Sequence, residues 1–155
     1  NVVDDVLNIA VVNRYQEKPI AVAFIKNFGL KRGALASSVA HDSHNIIVVG
    51  VDDESICKAV NAIVQEKGGL SVTDAVNTEV LGLPVAGLMS TDSCEVVAGK
   101  YTELVKFAKE IGCTLHSPFM SLSFMALLVI PQLKLSDKGL FDGDKFEFCT
   151  LEVKD

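Results

Sequence analysis

The chain has 155 residues, of which 49% are apolar and 22% are charged, and its formal net charge is −6 at pH 7. This length suits one domain with a substantial core, and the apolar content excludes an intrinsically disordered chain. The acidic balance argues against a nucleic-acid-binding protein, which needs a concentrated basic surface. A membrane-spanning helix is not predicted, because no apolar run reaches the ~18 residues that it needs.

The first 51 residues contain three predicted strands. Two apolar, β-branched runs, Val6–Tyr15 and Ile20–Phe28, are separated by a short polar break and predict an antiparallel hairpin. Ala34–Ala40 is a segment of small residues for which no strand is predicted. Asn45–Val51 is a continuous apolar run, which predicts a strand that is buried on both faces.

Three later segments are predicted to be helices. The first has apolar residues at helical spacing between positions 56 and 64, with Asp52 or Asp53 as the N-cap and a Gly pair at 68–69 as the stop. The second is capped by Thr91 or Asp92 and ends before Gly112. The third begins at positions 117–118 and continues to residue 128, where a strand remains an alternative.

The remaining apolar runs predict further strands. Leu70–Val76 and Glu79–Leu83 predict a second hairpin, and Leu133–Leu135 and Phe146–Val153 are late strand candidates. Together these elements predict the α/β (α+β) class. We expect a single compact domain with a mixed, largely antiparallel sheet and about three flanking helices.

The densest group of polar side chains lies between the small-residue segment and the third strand. Ser38, His41, Asp42 and His44 fall there, in a loop between apolar segments, where functional groups are often mounted. Imidazoles near a carboxylate can bind a metal, relay a proton or hydrogen-bond a polar heterocycle. The alternative is a structural turn, since Asp, Ser and Asn bond the nearby backbone. As a metal motif, His41 and His44 are weak because no third ligand is visible.

Other candidate residues favour structural roles. The segment Gly29–Gly33 could cradle a phosphate, but it lacks the known spacings, which favours a tight basic turn. Arg14 and Lys26 are interpreted as surface or interface pairs. The methionines are predicted to fill the core, and the cysteines to be reduced thiols of a cytoplasmic protein. These residues are Met89, Met120, Met125, Cys57, Cys94, Cys113 and Cys149.

Longer strings of residues carry a resemblance over nearly the whole chain. They include IAVVNRY at 9–15, the uninterrupted FGLKRGALASSVAHDSHNIIVVG at 28–50, PVAGLMS at 84–90, GCTL at 112–115, PFMSLSFMAL at 118–127 and KFEF at 145–148. In this order, these strings resemble the C-terminal domain of bacterial adenine deaminases, members of the amidohydrolase superfamily. The block at 28–50 is far more specific than any short motif.

The resemblance implies that the chain, residues 1–155, is one accessory domain of an enzyme that converts adenine and water to hypoxanthine and ammonia in purine salvage. In that family a (β/α)8 barrel holds manganese or iron, and this sequence lacks such a barrel. We therefore expect no catalysis and no bound cofactor in the isolated chain, whose N-terminus shows neither an initiator Met nor a signal peptide. The partners implied are adenine, the missing barrel and a second copy in a homo-oligomer. His116 receives no role.

Two further function classes remain open. The domain could be a free-standing ligand-binding or regulatory module, or an independent metal-dependent hydrolase built on His41 and His44. The resemblance makes the loop with Ser38, Asp42 and the two histidines a candidate part of the intact enzyme's active site. An interdomain contact would use the same residue types, so a structural role of this loop stays open as well.

Overall fold

The computed structural model of the chain describes residues 1–151, which form nine strands and three helices. In chain order these are β1 Leu7–Val12, β2 Ala21–Ile25, β3 Ala34–Ser37, β4 Ile46–Gly50, α1 Asp53–Gln65, β5 Gly69–Thr73, β6 Thr78–Gly82, α2 Cys94–Glu110, α3 Pro118–Phe124, β7 Leu133–Ser136, β8 Gly139–Asp142 and β9 Glu147–Phe148. None of the described helices combines the length and apolarity that are needed to cross a bilayer.

The strands form two sheets in which all hydrogen-bonded neighbours are antiparallel. The large sheet has the order β2-β1-β4-β3-β5-β6, and the small one has the order β7-β8-β9. Central β3 and β4 are buried along their whole length, as the apolar run of β4 predicts. The predicted α+β class, with a largely antiparallel sheet and three helices, is confirmed.

The large sheet carries a hydrophobic core on each face. On one face α1 packs against β3, β4 and β5, where Ala34, Ala36 and Val48 are buried beneath it. On the other face, α2, α3 and the small sheet cover a larger cluster that includes Leu35 and Ile47. Each large apolar side chain that is fully buried contributes about 1.5–3 kcal/mol of transfer free energy, so the sheet is held from both sides.

Helix boundaries follow from capping. Asp52 accepts a hydrogen bond from the Ser55 amide at 2.8 Å and caps α1, as predicted. The expected cap of α2 is wrong by one or two positions, because Ser93, rather than Thr91 or Asp92, caps it. The third helix is shorter than expected and ends at Phe124.

Several strand predictions need correction. Residues 34–37 form β3, although this small-residue segment was not expected to be a strand, and β8 was also missed. The first strand is shorter than Val6–Tyr15, and only β9 lies within the predicted strand Phe146–Val153. The end of that predicted strand, residues 152 and 153, lies outside the described residues.

One end of the large sheet gathers the loop with the predicted site residues and two neighbouring segments. Val12 of β1 lies opposite Ile46 of β4, and Ser37 of β3 lies opposite Ile47, so β1 and β3 end where β4 begins. The loop 38–45 joins β3 to β4 at this end. The β1–β2 connection and the segment 83–90 after β6 also lie there, since β2 and β5 begin at the same end. We call this end of the large sheet the histidine end.

Candidate functional site

His41 and His44 come together on the loop at the histidine end. The centroids of their imidazole rings are 5.9 Å apart, and the rings meet edge to face. The centroid of the His41 ring also lies 5.2 Å from that of the Phe124 ring of α3. The backbone amide of His41 donates to the Ser123 carbonyl. Both imidazoles are partly exposed, and Asp42 between them is exposed. Three of the four predicted site residues therefore face a common accessible surface.

His44 is held in one orientation by the backbone. Its φ is 51°, in the left-handed region, and its amide bonds the Ala40 carbonyl at 2.7 Å. The Ala40 amide in turn donates to Nδ1 of His44 at 3.3 Å. Burial, and then the neighbouring His41 and Arg14, lower the pKa of His44 below its ordinary value. A neutral ring that accepts at Nδ1 carries its proton on Nε2, so His44 offers a hydrogen-bond donor at neutral pH.

Ser38 is placed differently from the other three predicted residues. It is fully buried, and its Oγ donates to the Gly87 carbonyl at 2.6 Å and accepts from the Gly69 amide at 2.8 Å. The hydroxyl thus joins the start of β5 to the segment 83–90. Ser38 fixes the backbone that surrounds the histidine loop, and its Oγ is already engaged in the structure.

The buried hydroxyl of Ser38 gives a testable stability prediction. Ser38→Ala is expected to lower the free energy of unfolding by about 1–3 kcal/mol, because the buried Gly69 amide loses its acceptor. Thr91→Ala is the control, since Thr91 is exposed and its hydroxyl makes no hydrogen bond among the described residues, and it should cost less than about 0.5 kcal/mol. Urea denaturation of both variants measures the difference. Equal midpoints for the two variants would contradict this role of Ser38.

Sequence reasoning missed the roles of two residues that follow β1. Arg14 was interpreted as part of a surface or interface pair, but its amide donates to Oδ1 of Asn45, and its guanidinium lies 5.3 Å from the Tyr15 ring centroid. The Tyr15 hydroxyl donates to the Ser43 carbonyl. The backbone of Arg14 and the side chain of Tyr15 therefore support the histidine loop. The signal was their position directly after an apolar strand, within the recognised string at 9–15.

The guanidinium of Arg14 packs against Gly87. Its Nη2 donates to the Ala86 carbonyl at 2.7 Å, and its Nη1 is buried without a hydrogen-bond partner among the described residues. Gly87 has a φ of 75°, and a Cβ added there would lie 1.8 Å from Nη1. Only glycine therefore fits beside the guanidinium.

Two of the three methionines do not fill the core. Met89 is 58% exposed and Met120 of α3 is 52% exposed, so the prediction of a core role is wrong for these two residues.

The described residues contain no group of three His, Cys, Asp or Glu side chains that could hold a metal ion. His41 and His44 alone would supply only two ligands, and a metal ion needs more than two from its surroundings. His116 is exposed, and its Nδ1 lies 3.1 Å from the Ser117 hydroxyl. The histidine end is therefore suited to hydrogen bonding and ring packing, with Nε2 of His44 as donor and Asp42 as acceptor.

The basic turn at 29–33 is used internally. The Gly29 amide donates to Asp5, and the Lys31 amide donates to the Ile111 carbonyl. Arg32 donates to the Glu110 carbonyl and lies 3.5 Å from a carboxylate oxygen of Asp74. The turn thus joins the strands to the end of α2. The amides of Gly29 and Lys31 already donate hydrogen bonds within the protein, so they are not available to a phosphate.

Comparisons with known proteins identify close relatives. The model of the family described as "Adenine deaminase C-terminal domain" matches residues 1–147. A protein of Salinibacter ruber named adenine deaminase is 58% identical over 93% of this chain, and one of Methanosarcina mazei is 55% identical over 95%. One of Borreliella burgdorferi is 53% identical over 96% of this chain. The chain spans only 27%, 26% and 27% of these relatives' lengths, respectively.

Proposed function

The chain belongs to the adenine deaminase C-terminal domain family, and on this premise we propose that its histidine loop completes the active site of an adenine deaminase. The reaction takes adenine and water to hypoxanthine and ammonia. Because the chain covers about a quarter of its relatives' length, the activity belongs to the longer polypeptide. The chain's own contribution is the substrate-facing surface at the histidine end.

The observation that carries this proposal is the convergence of His41, Asp42 and His44 at the end of a rigid sheet. Adenine presents ring nitrogens that accept hydrogen bonds and an amino group that donates them. Nε2–H of a neutral His44 suits a ring nitrogen, and the Asp42 carboxylate suits the amino group. Phe124, beside His41, offers a flat apolar surface for the purine ring. These groups would bind and orient the base.

The metal chemistry that the resemblance implies does not fit this chain. A divalent metal of this family, manganese or iron, would activate the attacking water. The described residues do not supply a ligand set for such an ion. We therefore assign the metal to the preceding barrel of the polypeptide, and no step of the reaction is assigned to a metal held by this domain.

The proposal places the intact protein in purine salvage in the cytoplasm, with adenine and the barrel as partners. Homo-oligomer formation remains a prediction, with the apolar stretch at 118–130 and the first hairpin as its candidate surfaces. Val129 and Ile130, at the end of this stretch, are exposed, which is consistent with a covered surface in a larger assembly.

The proposal is tested by comparing two proteins. The full-length protein loaded with manganese is expected to release ammonia from adenine, whereas the isolated chain is expected to be folded and to show no turnover above a buffer control. The physical reason is that hydrogen-bonding groups orient the base but do not activate water. Circular dichroism checks folding, and a coupled ammonia assay measures the rate. Turnover by the isolated chain would contradict the division of roles.

A further inference from the structure

A stripe of exposed apolar side chains runs along β2 and the residue before it. Ile20, Val22 and Phe24 are 56%, 59% and 66% exposed and alternate along the chain, so all three point to the same face of the sheet. Val22 pairs with Ala10 and Phe24 with Asn8, which places the stripe on the face that carries α1. We call these three residues the β2 stripe.

The stripe is exposed because α1 does not reach it. This helix packs on β3, β4 and β5 and leaves the face of β1 and β2 open. Between the helix and β2 lies a cleft of about 490 Å³, lined by the stripe, by Ile56 and Cys57 of α1 and, on one side, by Leu151. Half of this sheet face is therefore covered by the domain itself, and the other half is an open apolar cleft.

The two edges of the sheet differ in how they are protected. No charged residue occurs from position 19 to position 25, so β2 presents an uncharged edge with unpaired backbone groups. The opposite edge strand, β6, begins with exposed Thr78 and Glu79, and α2 packs against it. Native proteins usually block free edges with charges or with a covering element. β2 contacts β7 and β8 of the small sheet, but no described strand pairs with its outer edge and none of its residues is charged. A strand edge without these protections is typical of a surface covered by a partner.

We infer that the β2 stripe is the docking surface for the preceding, barrel-containing part of the adenine deaminase polypeptide, an inference that rests on the proposed function. Nearly three quarters of each relative's length lies outside the region matched here, so a large covering body is available in those proteins. Ile20 lies at the histidine end, in the β1–β2 connection that also carries exposed Tyr15, whose hydroxyl bonds the Ser43 carbonyl of the histidine loop. The apolar stripe and the proposed active-site surface are thus continuous, and one domain can cover both.

A covalently attached domain has a high effective concentration at this surface, about millimolar for a short flexible linker. Under this condition the burial of three apolar side chains and a strand edge is sufficient for stable docking. A second copy of the chain would have to reach the same surface from dilute solution. The attached domain is therefore the occupant that we assign.

The test uses hydrogen exchange of the β2 amides in the full-length protein and in the isolated chain. Exchange is expected to be at least about tenfold slower in the full-length protein, because docking suppresses local opening of the edge strand. The double variant Val22→Glu/Phe24→Glu should abolish this difference. Val76→Glu is the matched control, since Val76 is 87% exposed in the β5–β6 turn, and it should preserve the protection.

Each outcome distinguishes the inference from its alternatives. Equal β2 exchange in both proteins, or equal loss of protection in the Val76→Glu control, would overturn the docking surface. Protection of the isolated chain that rises with its concentration would overturn it in favour of a second copy. Protected β2 amides in a full-length protein that does not turn over adenine would support the contact and contradict the proposed function.

Discussion

Replacement of His41 by Ala, or of His44 by Asn, in the full-length protein is expected to lower adenine turnover by about 10- to 150-fold. A lost hydrogen bond to a charged transition state costs about 1.5–3 kcal/mol, and each 1.36 kcal/mol changes the rate tenfold. Both imidazoles lie on a loop surface and not in the core, so the melting temperature should change little. The two substitutions are therefore expected to lower the turnover per folded molecule and not the fraction of folded protein.

The choice of Asn at position 44 separates catalysis from folding. Asn tolerates the left-handed φ of 51°, and its Oδ1 can accept the Ala40 amide in place of Nδ1. The substitution thus preserves the loop and removes only the Nε2 donor. His116→Ala is the control, because His116 is exposed and lies outside the histidine loop. Steady-state kinetics and thermal melting are measured on the same samples. Unchanged turnover in both loop variants, with a reduced melting temperature, would assign the loop a structural role.

The elements that the sequence predicts well are those with a strong local signal. In α1, helical spacing of the apolar residues coincides with an acidic cap at Asp52. In β4, a continuous apolar run corresponds to a strand that is buried along its length. His41, Asp42 and His44 were also placed on one loop correctly, because they are close in sequence, while their role in a site stays a prediction. Short-range patterns were sufficient in these three cases.

The features that were missed depend on contacts between distant segments. Ser38 looked like a site residue, but its hydroxyl bonds Gly69 and Gly87, which lie 31 and 49 residues away. Arg14 approaches the same Gly87 from the end of β1, and no local pattern indicates this. A lone polar residue in a loop does not reveal whether it faces a ligand or the backbone of another segment. Only the order of strands in the sheet decides this.

The central strand β3 was missed for a related reason. Its sequence, ALAS, is short and rich in small residues, which have low strand propensity. The small side chains Ala34 and Ala36 are required where α1 lies close above the sheet, and Leu35 faces the larger core. Tertiary packing on both faces therefore overrides the local preference. The strand that carries the histidine loop is held in place by α1 and α3 together.

Leu35→Ala is accordingly expected to lower the free energy of unfolding by about 2–5 kcal/mol. Leu35 has no exposed surface and lies between Val49 of β4 and Val72 of β5, in the cluster that includes Phe119 and Leu122. Its truncation removes apolar contacts and leaves a cavity that neighbouring strands cannot fill without losing their register. Such a loss is a large fraction of the ~5–15 kcal/mol by which domains are usually stable.

Urea denaturation of the isolated chain, followed by circular dichroism, measures the effect of Leu35→Ala. Val76→Ala is the control, because Val76 is 87% exposed and its truncation should change the free energy by no more than about 0.5 kcal/mol. If the two variants unfold at the same urea concentration, β3 does not lie at the centre of the core. In that case the rigid support assumed for the histidine loop would be lost, because this loop begins where β3 ends.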